Sequence, residues 1–80
     1  MTTCEAVRDR IKQLCKEQGI TPNALSYRAG VPQATVKSIL NKETKNPGVV
    51  TIKKICDGLD ISLCDFFNTS TFHLLEQEIR

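Results

Sequence analysis

Eighty residues, 40% hydrophobic and 25% charged, make one small domain with one modest core, of a size that gains from dimerisation. No apolar run approaches ~20 residues, so no membrane span is expected, and the opening MTTCEAVRDR carries acids and no apolar stretch, unlike a signal peptide. The net charge of +2 selects no partner by itself, but residues 28–54 carry +5 and residues 60–80 carry −3. A basic middle and an acidic tail fit a polyanion-binding face with a tail kept away from it; the plainer alternative is a solvated surface with chance clustering.

The first helix is predicted from about Cys4 to Gln18. Val7, Ile11, Leu14 and Cys15 give its apolar stripe, Arg8, Arg10, Lys12 and Lys16 lie off it, and Gly19 ends it. The stretch TPNALSYRAGVPQATVKSILN, Thr21 to Asn41, reads as two short helices with a tight turn between them. Thr21 before Pro22 is a cap followed by a first-turn proline. Leu25 and Ala29 sit four apart and can face one core. Gly30 supplies a left-handed residue at the turn, and Val31 is an apolar plug after it. Pro32 opens the next helix, in which Val36, Ile39 and Leu40 recur at core spacing. Its opposite face carries Gln33, Ala34, Lys37, Ser38 and Asn41, with no acid among them. This is the pattern of a helix-turn-helix.

The loop NKETKNPG, residues 41–48, follows, with a turn at Asn46-Pro47. A fourth helix is predicted from near Val49 to Leu59, with Ile52, Ile55, Cys56 and Leu59 inward. Gly58 falls inside it at a cost of ~1 kcal/mol relative to Ala. Asp60 ends it, since Asp tolerates the left-handed position. Ser62 to Asp65 resembles a capping box and starts a short fifth helix ending in Phe66 and Phe67. The tail from Asn68 to Arg80 carries Phe72, Leu74, Leu75 and Ile79, which either cap the domain's own core or form a dimer contact.

Cys4, Cys15, Cys56 and Cys64 are separated by 10, 40 and 7 residues, which matches no paired zinc knuckle, and Cys15 and Cys56 fall on apolar helix stripes as small core residues. No metal or cofactor is expected. His73 has no Ser or Cys partner in any motif and reads as a surface residue. With no Gly-rich phosphate loop and no carboxylate pair, no enzyme signature stands out.

The chain resembles the phage-repressor-type (Cro/C1-type) helix-turn-helix family of bacterial and phage transcription regulators over roughly residues 5–67. The resemblance rests on the spacing of Leu25, Ala29-Gly30-Val31, Val36 and Ile39, on Asn46-Pro47, and on Thr51-Ile52-Lys53-Lys54-Ile55 before a hydrophobic fifth helix. Two departures stand out. Pro22 replaces the Gln that often touches a phosphate in that family, and Pro32 replaces a frequent Ser or Thr cap.

The resemblance implies an all-α, five-helix lambda-repressor-like DNA-binding domain over residues 1–68, with residues 69–80 a short tail able to form a sixth helix. It implies a small cytoplasmic transcription regulator, a repressor, that binds double-stranded DNA with the helix from about Pro32 to Leu40 in the major groove. Gln33 can bond adenine N6 and N7, while Ala34 and the Thr35 methyl can touch a thymine methyl. Lys37 and Ser38 can reach guanine or a phosphate. Asn41, Lys42, Thr44 and Lys45 are expected at the DNA backbone, where contacts fix register. Each taken alone has a plainer reading, as a helix starter, a solubilising charge or an end cap. A homodimer is expected, at least on DNA, because specific sites pair half-sites ~34–36 Å apart. The competing function is a protein-interaction module, such as an antitoxin, working through the C-terminal tail.

Overall fold

The computed structural model describes residues 1–43 and 46–79. Within them lie six helices and no strand: α1 (Thr3–Gln18), α2 (Pro22–Ala29), α3 (Gln33–Leu40), α4 (Val49–Gly58), α5 (Leu63–Phe67) and α6 (Ser70–His73). The all-α expectation holds, and the tail does supply a short sixth helix.

The helix boundaries follow from cap chemistry. The Thr2 hydroxyl accepts from the Glu5 amide, the Thr21 hydroxyl from the Ala24 amide and the Ser62 hydroxyl from the Asp65 amide, so each satisfies an orphan donor of its first turn. Gly19 and Gly30 close α1 and α2 in the left-handed conformation, at φ of 66° and 64°. Asp60 does the same after α4, at φ 58°, and lets the Ile61 amide reach back to the Cys56 carbonyl at 3.0 Å. Lys42 also has positive φ, 67°, and the Glu43 amide returns to the Ser38 carbonyl at 2.9 Å. A lysine thus holds the position a glycine usually takes, which sequence reading did not anticipate.

One core gathers all the main helices. Leu25, Ile55, Cys56, Leu59 and Phe66 are fully buried, joined by Val7, Ile11, Leu14, Cys15 and Ile39. Burial raises the pKa of both the Cys15 and Cys56 thiols, so they behave as small apolar groups, as their stripes implied. Phe72 of α6 packs on the core beside Phe66 and Phe67; the Phe67–Phe72 rings meet edge to face at 4.9 Å. Leu74 and Ile79 stay exposed.

Four details differ from the sequence reading. Pro32 is the residue before α3 rather than its first turn; with no side-chain oxygen it gives no cap, and its carbonyl takes the Thr35 and Val36 amides. The fourth helix stops at Gly58, one residue early, because Leu59 is already its C-cap. Gly58 is more than a tolerated cost. A Cβ there would lie 2.9 Å from the Ala29 nitrogen, so α4 crosses the end of α2 at a distance only glycine allows. Finally, Arg8, placed off the apolar stripe, is buried, with 5% of its surface exposed.

Two side chains lock the outer helices to α1. Arg10 donates from Nε to the Phe66 carbonyl at 2.8 Å and from Nη2 to the Asp65 carbonyl at 2.9 Å, satisfying acceptors at the end of α5. Gln18 Nε2 donates to the Leu59 carbonyl at 2.6 Å, which ties the end of α1 to the end of α4.

Candidate nucleic-acid interface

The positioning of α3 begins with its buried stripe. Val36 and Ile39 are almost wholly buried and Leu40 half-buried, against α2 and α1. Because these occupy the inward positions, helical geometry sends the intervening residues outward. Gln33, Ala34 and Lys37 are exposed, and Thr35 and Ser38 are half-buried at the edges of the same face. The turn fixes the angle of α3 on α2: Gly30 is left-handed, the Val31 amide bonds the Ser26 carbonyl at 3.1 Å, and the buried Val31 side chain anchors the connection.

The start of α3 is chemically open. With Pro32 giving no side-chain cap, the Gln33 and Ala34 amides find no protein acceptor among the described residues. They join the Gln33 carboxamide as donors at the positive end of a helix. No acidic residue lies in the first turn of α3, and Lys37 lies in its last. The first turn therefore presents donors, a carboxamide that both donates and accepts, and a methyl, which are the groups that address base edges and phosphates.

The far end of α3 holds a feature that sequence reading passed over. Ser38 donates its hydroxyl to the Glu43 carboxylate at 3.3 Å. A carboxylate therefore stands beside a residue assigned to DNA. The signal available was the single acid in the basic segment, five residues on from Ser38. Asn41 and Lys42 are exposed at the same end, and Asn41 serves as the C-cap through its amide to the Lys37 carbonyl, 2.8 Å. Thr44 and Lys45, also assigned to the DNA backbone, lie outside the described residues. Of the nine sequence-assigned residues, the structure therefore places seven, Gln33 to Lys42, along α3 and its immediate exit.

Four exposed side chains on the helices before and after α3 were assigned no role from the sequence. Tyr27 and Arg28 on α2 are exposed, and so are Val49 and Val50 in the first turn of α4. No group of three or more His, Cys, Asp or Glu among the described residues could hold a metal ion. None of their helices is long and apolar enough to cross a membrane.

Comparison with known proteins converges on this architecture. The model of the Cro/C1-type HTH DNA-binding domain matches residues 10–71. The chain is 32% identical over 62 residues to the HTH-type transcriptional regulator SinR of Bacillus licheniformis; that is 78% of this chain, which spans 56% of the relative's length. Among solved structures, prophage Lp1 protein 11 superposes with a TM-score of 0.81 at 33% identity, covering 94% of this chain and 100% of the other. The SinR/SinI complex gives a TM-score of 0.71 at 29% identity over 90% of this chain and 69% of the other. The restriction-modification controller protein C.Esp1396I shares the fold, with a TM-score of 0.79 at 23% identity over 94% and 95% of the two chains.

Proposed function

The chain belongs to the Cro/C1-type helix-turn-helix DNA-binding family of transcription regulators, and we propose that it is a sequence-specific repressor reading the major groove with α3. The observation that carries this reading is the division of α3. Val36 and Ile39 are consumed by the core, while the side chains of Gln33, Ala34 and Lys37 are exposed and make no hydrogen bond or ion pair among the described residues. On this reading Gln33, Ala34, Thr35, Lys37 and Ser38 meet base edges, and Asn41, Lys42, Thr44 and Lys45 hold the phosphates. Clustering of the positive charge in residues 28–54 supports a polyanion at this face rather than at the acidic tail.

A homodimer on DNA belongs to the same proposal. One copy has one reading helix and covers one half-site. Leu74 and Ile79, 82% and 85% exposed, are large apolar side chains that the domain's own core leaves uncovered. A second copy burying them would join two reading helices through the tail. A monomer by sedimentation, both free and on a two-site duplex, would sink the dimer.

Selection from a random duplex pool at two salt concentrations tests the reading. Enrichment of a short inverted repeat, with binding that falls steeply as salt rises, is the expected result. Binding without any enriched sequence would remove base reading and leave a nonspecific basic face. No binding at low salt would overturn the DNA assignment altogether.

A further inference from the structure

A groove of about 840 Å³ opens between the start of α1, the exit from α3, α4 and the tail, and no residue of α3 itself lines it. Its volume lies in the range of small-molecule sites, roughly 300–1,000 Å³. Val7, Ile52 and Phe67 give it an apolar floor. Arg8 also lines it, and Arg8 is the unusual residue of the molecule. It is 5% exposed, yet it makes no hydrogen bond or ion pair among the described residues. No fully occluded, unpartnered side-chain nitrogen exists among those residues either, so the guanidinium nitrogens must keep their contact with open space. That space is the groove.

A buried guanidinium is a planar fork of donors that is always charged, and it is stabilised by an acceptor of matching shape. The two carboxylates lining the groove are already engaged elsewhere. The Glu5 carboxylate accepts from the Thr2 hydroxyl at 3.2 Å, and the Glu78 carboxylate accepts from the Thr3 hydroxyl at 2.6 Å. Glu5 feels the Arg8 charge, but among the causes that lower its pKa that charge ranks last, behind its bonds to Thr2. The acceptor that Arg8 lacks must therefore come from outside.

We infer that this groove binds a small organic monocarboxylate with an apolar body, its carboxylate on Arg8 and its chain along Val7, Ile52 and Phe67. The wall chemistry favours this occupant over a free polyanion. Among the described lining residues, Arg8 and Lys42 are balanced by Glu5 and Glu78, so these side chains offer no net positive charge to gather a multiply charged ion. What the groove offers is one unfilled fork beside apolar surface.

Calorimetry and amide-shift titration of the full chain, without DNA, test the site separately from the DNA assignment. Octanoate, octan-1-ol and inorganic phosphate are the probes. Saturable binding of octanoate is expected, with shifts centred on Arg8, Val7 and Ile52, and at least about tenfold weaker binding of octanol and of phosphate. Arg8→Met is expected to lose the octanoate preference by a similar factor. Should that variant fail to fold, the three-probe comparison on the unmodified chain still decides. Equal binding of octanol would mean an apolar groove only, equal binding of phosphate a nonspecific cation, and no saturation at millimolar octanoate no site; each overturns the inference.

Discussion

Replacing Gly58 with Ala tests how α2, and through its turn α3, is held. Helix propensity alone would make Gly58→Ala stabilising, by at most about 1 kcal/mol at a helix end. Packing says the opposite. The added methyl would meet the Ala29 nitrogen at 2.9 Å, its Cα at 3.0 Å and its Cβ at 3.1 Å. Two of these atoms are backbone at the last residue of α2, so no side-chain rotation relieves them. The helices must separate by several tenths of an ångström, and such overpacking costs about 1–3 kcal/mol. The net expectation is a loss of about 1–2 kcal/mol. For a domain of this size that lowers Tm by roughly 4–16 °C, measured by thermal melts followed by circular dichroism. Ala29→Gly in the same chain removes only the Cβ contact and should recover only part of the loss. Since α2 carries the turn into α3, the variant should also bind DNA more weakly at temperatures where it is fully folded. An unchanged or higher Tm would refute the close-approach argument and leave Gly58 as an ordinary helix glycine.

Three other outcomes follow from the same geometry. Gln33→Ala should cost ~1–3 kcal/mol at one base position and relax the preference there, read by binding to single-base operator variants; equal loss on every sequence would contradict base reading. Lys42→Gly should leave the domain equally stable or up to about 1 kcal/mol more stable, since glycine accepts φ 67° without strain. The same change should weaken binding to all sequences and make the salt slope shallower by about one, and an unchanged slope would take Lys42 off the phosphate list. Stability should also fall in alkali. Burial raises the Cys15 and Cys56 pKa values in the folded state, so above the ordinary thiol range the unfolded chain loses protons first. The contribution is present below the unfolded pKa and is lost as pH rises through the folded one, at no more than about 1.4 kcal/mol per pH unit for each thiol. Urea midpoints of the unmodified chain and of a Cys15→Ala, Cys56→Ala chain, compared between pH 7 and 10, should converge as pH rises.

The parts of the fold that could be read in the sequence are those written in local chemistry. Thr21-Pro22, Gly30, Asp60 and Ser62 each act within a few residues, and each does in the structure what its side chain implies. The apolar stripes of α1, α3 and α4 were equally legible because period alone defines them. The illegible features are those decided by a distant segment. Gly58 looks like a defect until the end of α2 is laid across it. Arg8 was sent outward because charge usually goes there. Yet Arg8 stands four residues after Cys4 and three before Ile11, on the flank of the stripe that holds Ile11 and Cys15, and that place was a usable sign of burial. The left-handed Lys42 was hidden because its charge suggested a role before its backbone did. Glu43, reaching Ser38, was passed over for the opposite reason, as an exception in a basic segment.

The length of α3 explains why its outer face is left free of structural work. Eight residues make barely two turns, and an isolated helix of that length is not stable in water. Its first turn has no side-chain cap to help it. Its stability must come from Val36, Ile39 and the half-buried Leu40, set against neighbours that are themselves held by the Gly30 turn and the Gly58–Ala29 crossing. Once the inner stripe and the turn carry the structure, the exposed residues of the outer face can change chemistry at little cost, because exposed substitutions away from such features usually move stability by less than about 0.5 kcal/mol. Ser38 is the partial exception, tied to Glu43 by a bond at the edge of that face. The physical requirements for folding and for recognition therefore fall on opposite sides of one short helix. Helix packing fixes where the outer side chains stand, and on the proposed reading Gln33, Ala34 and Lys37 determine what they can meet.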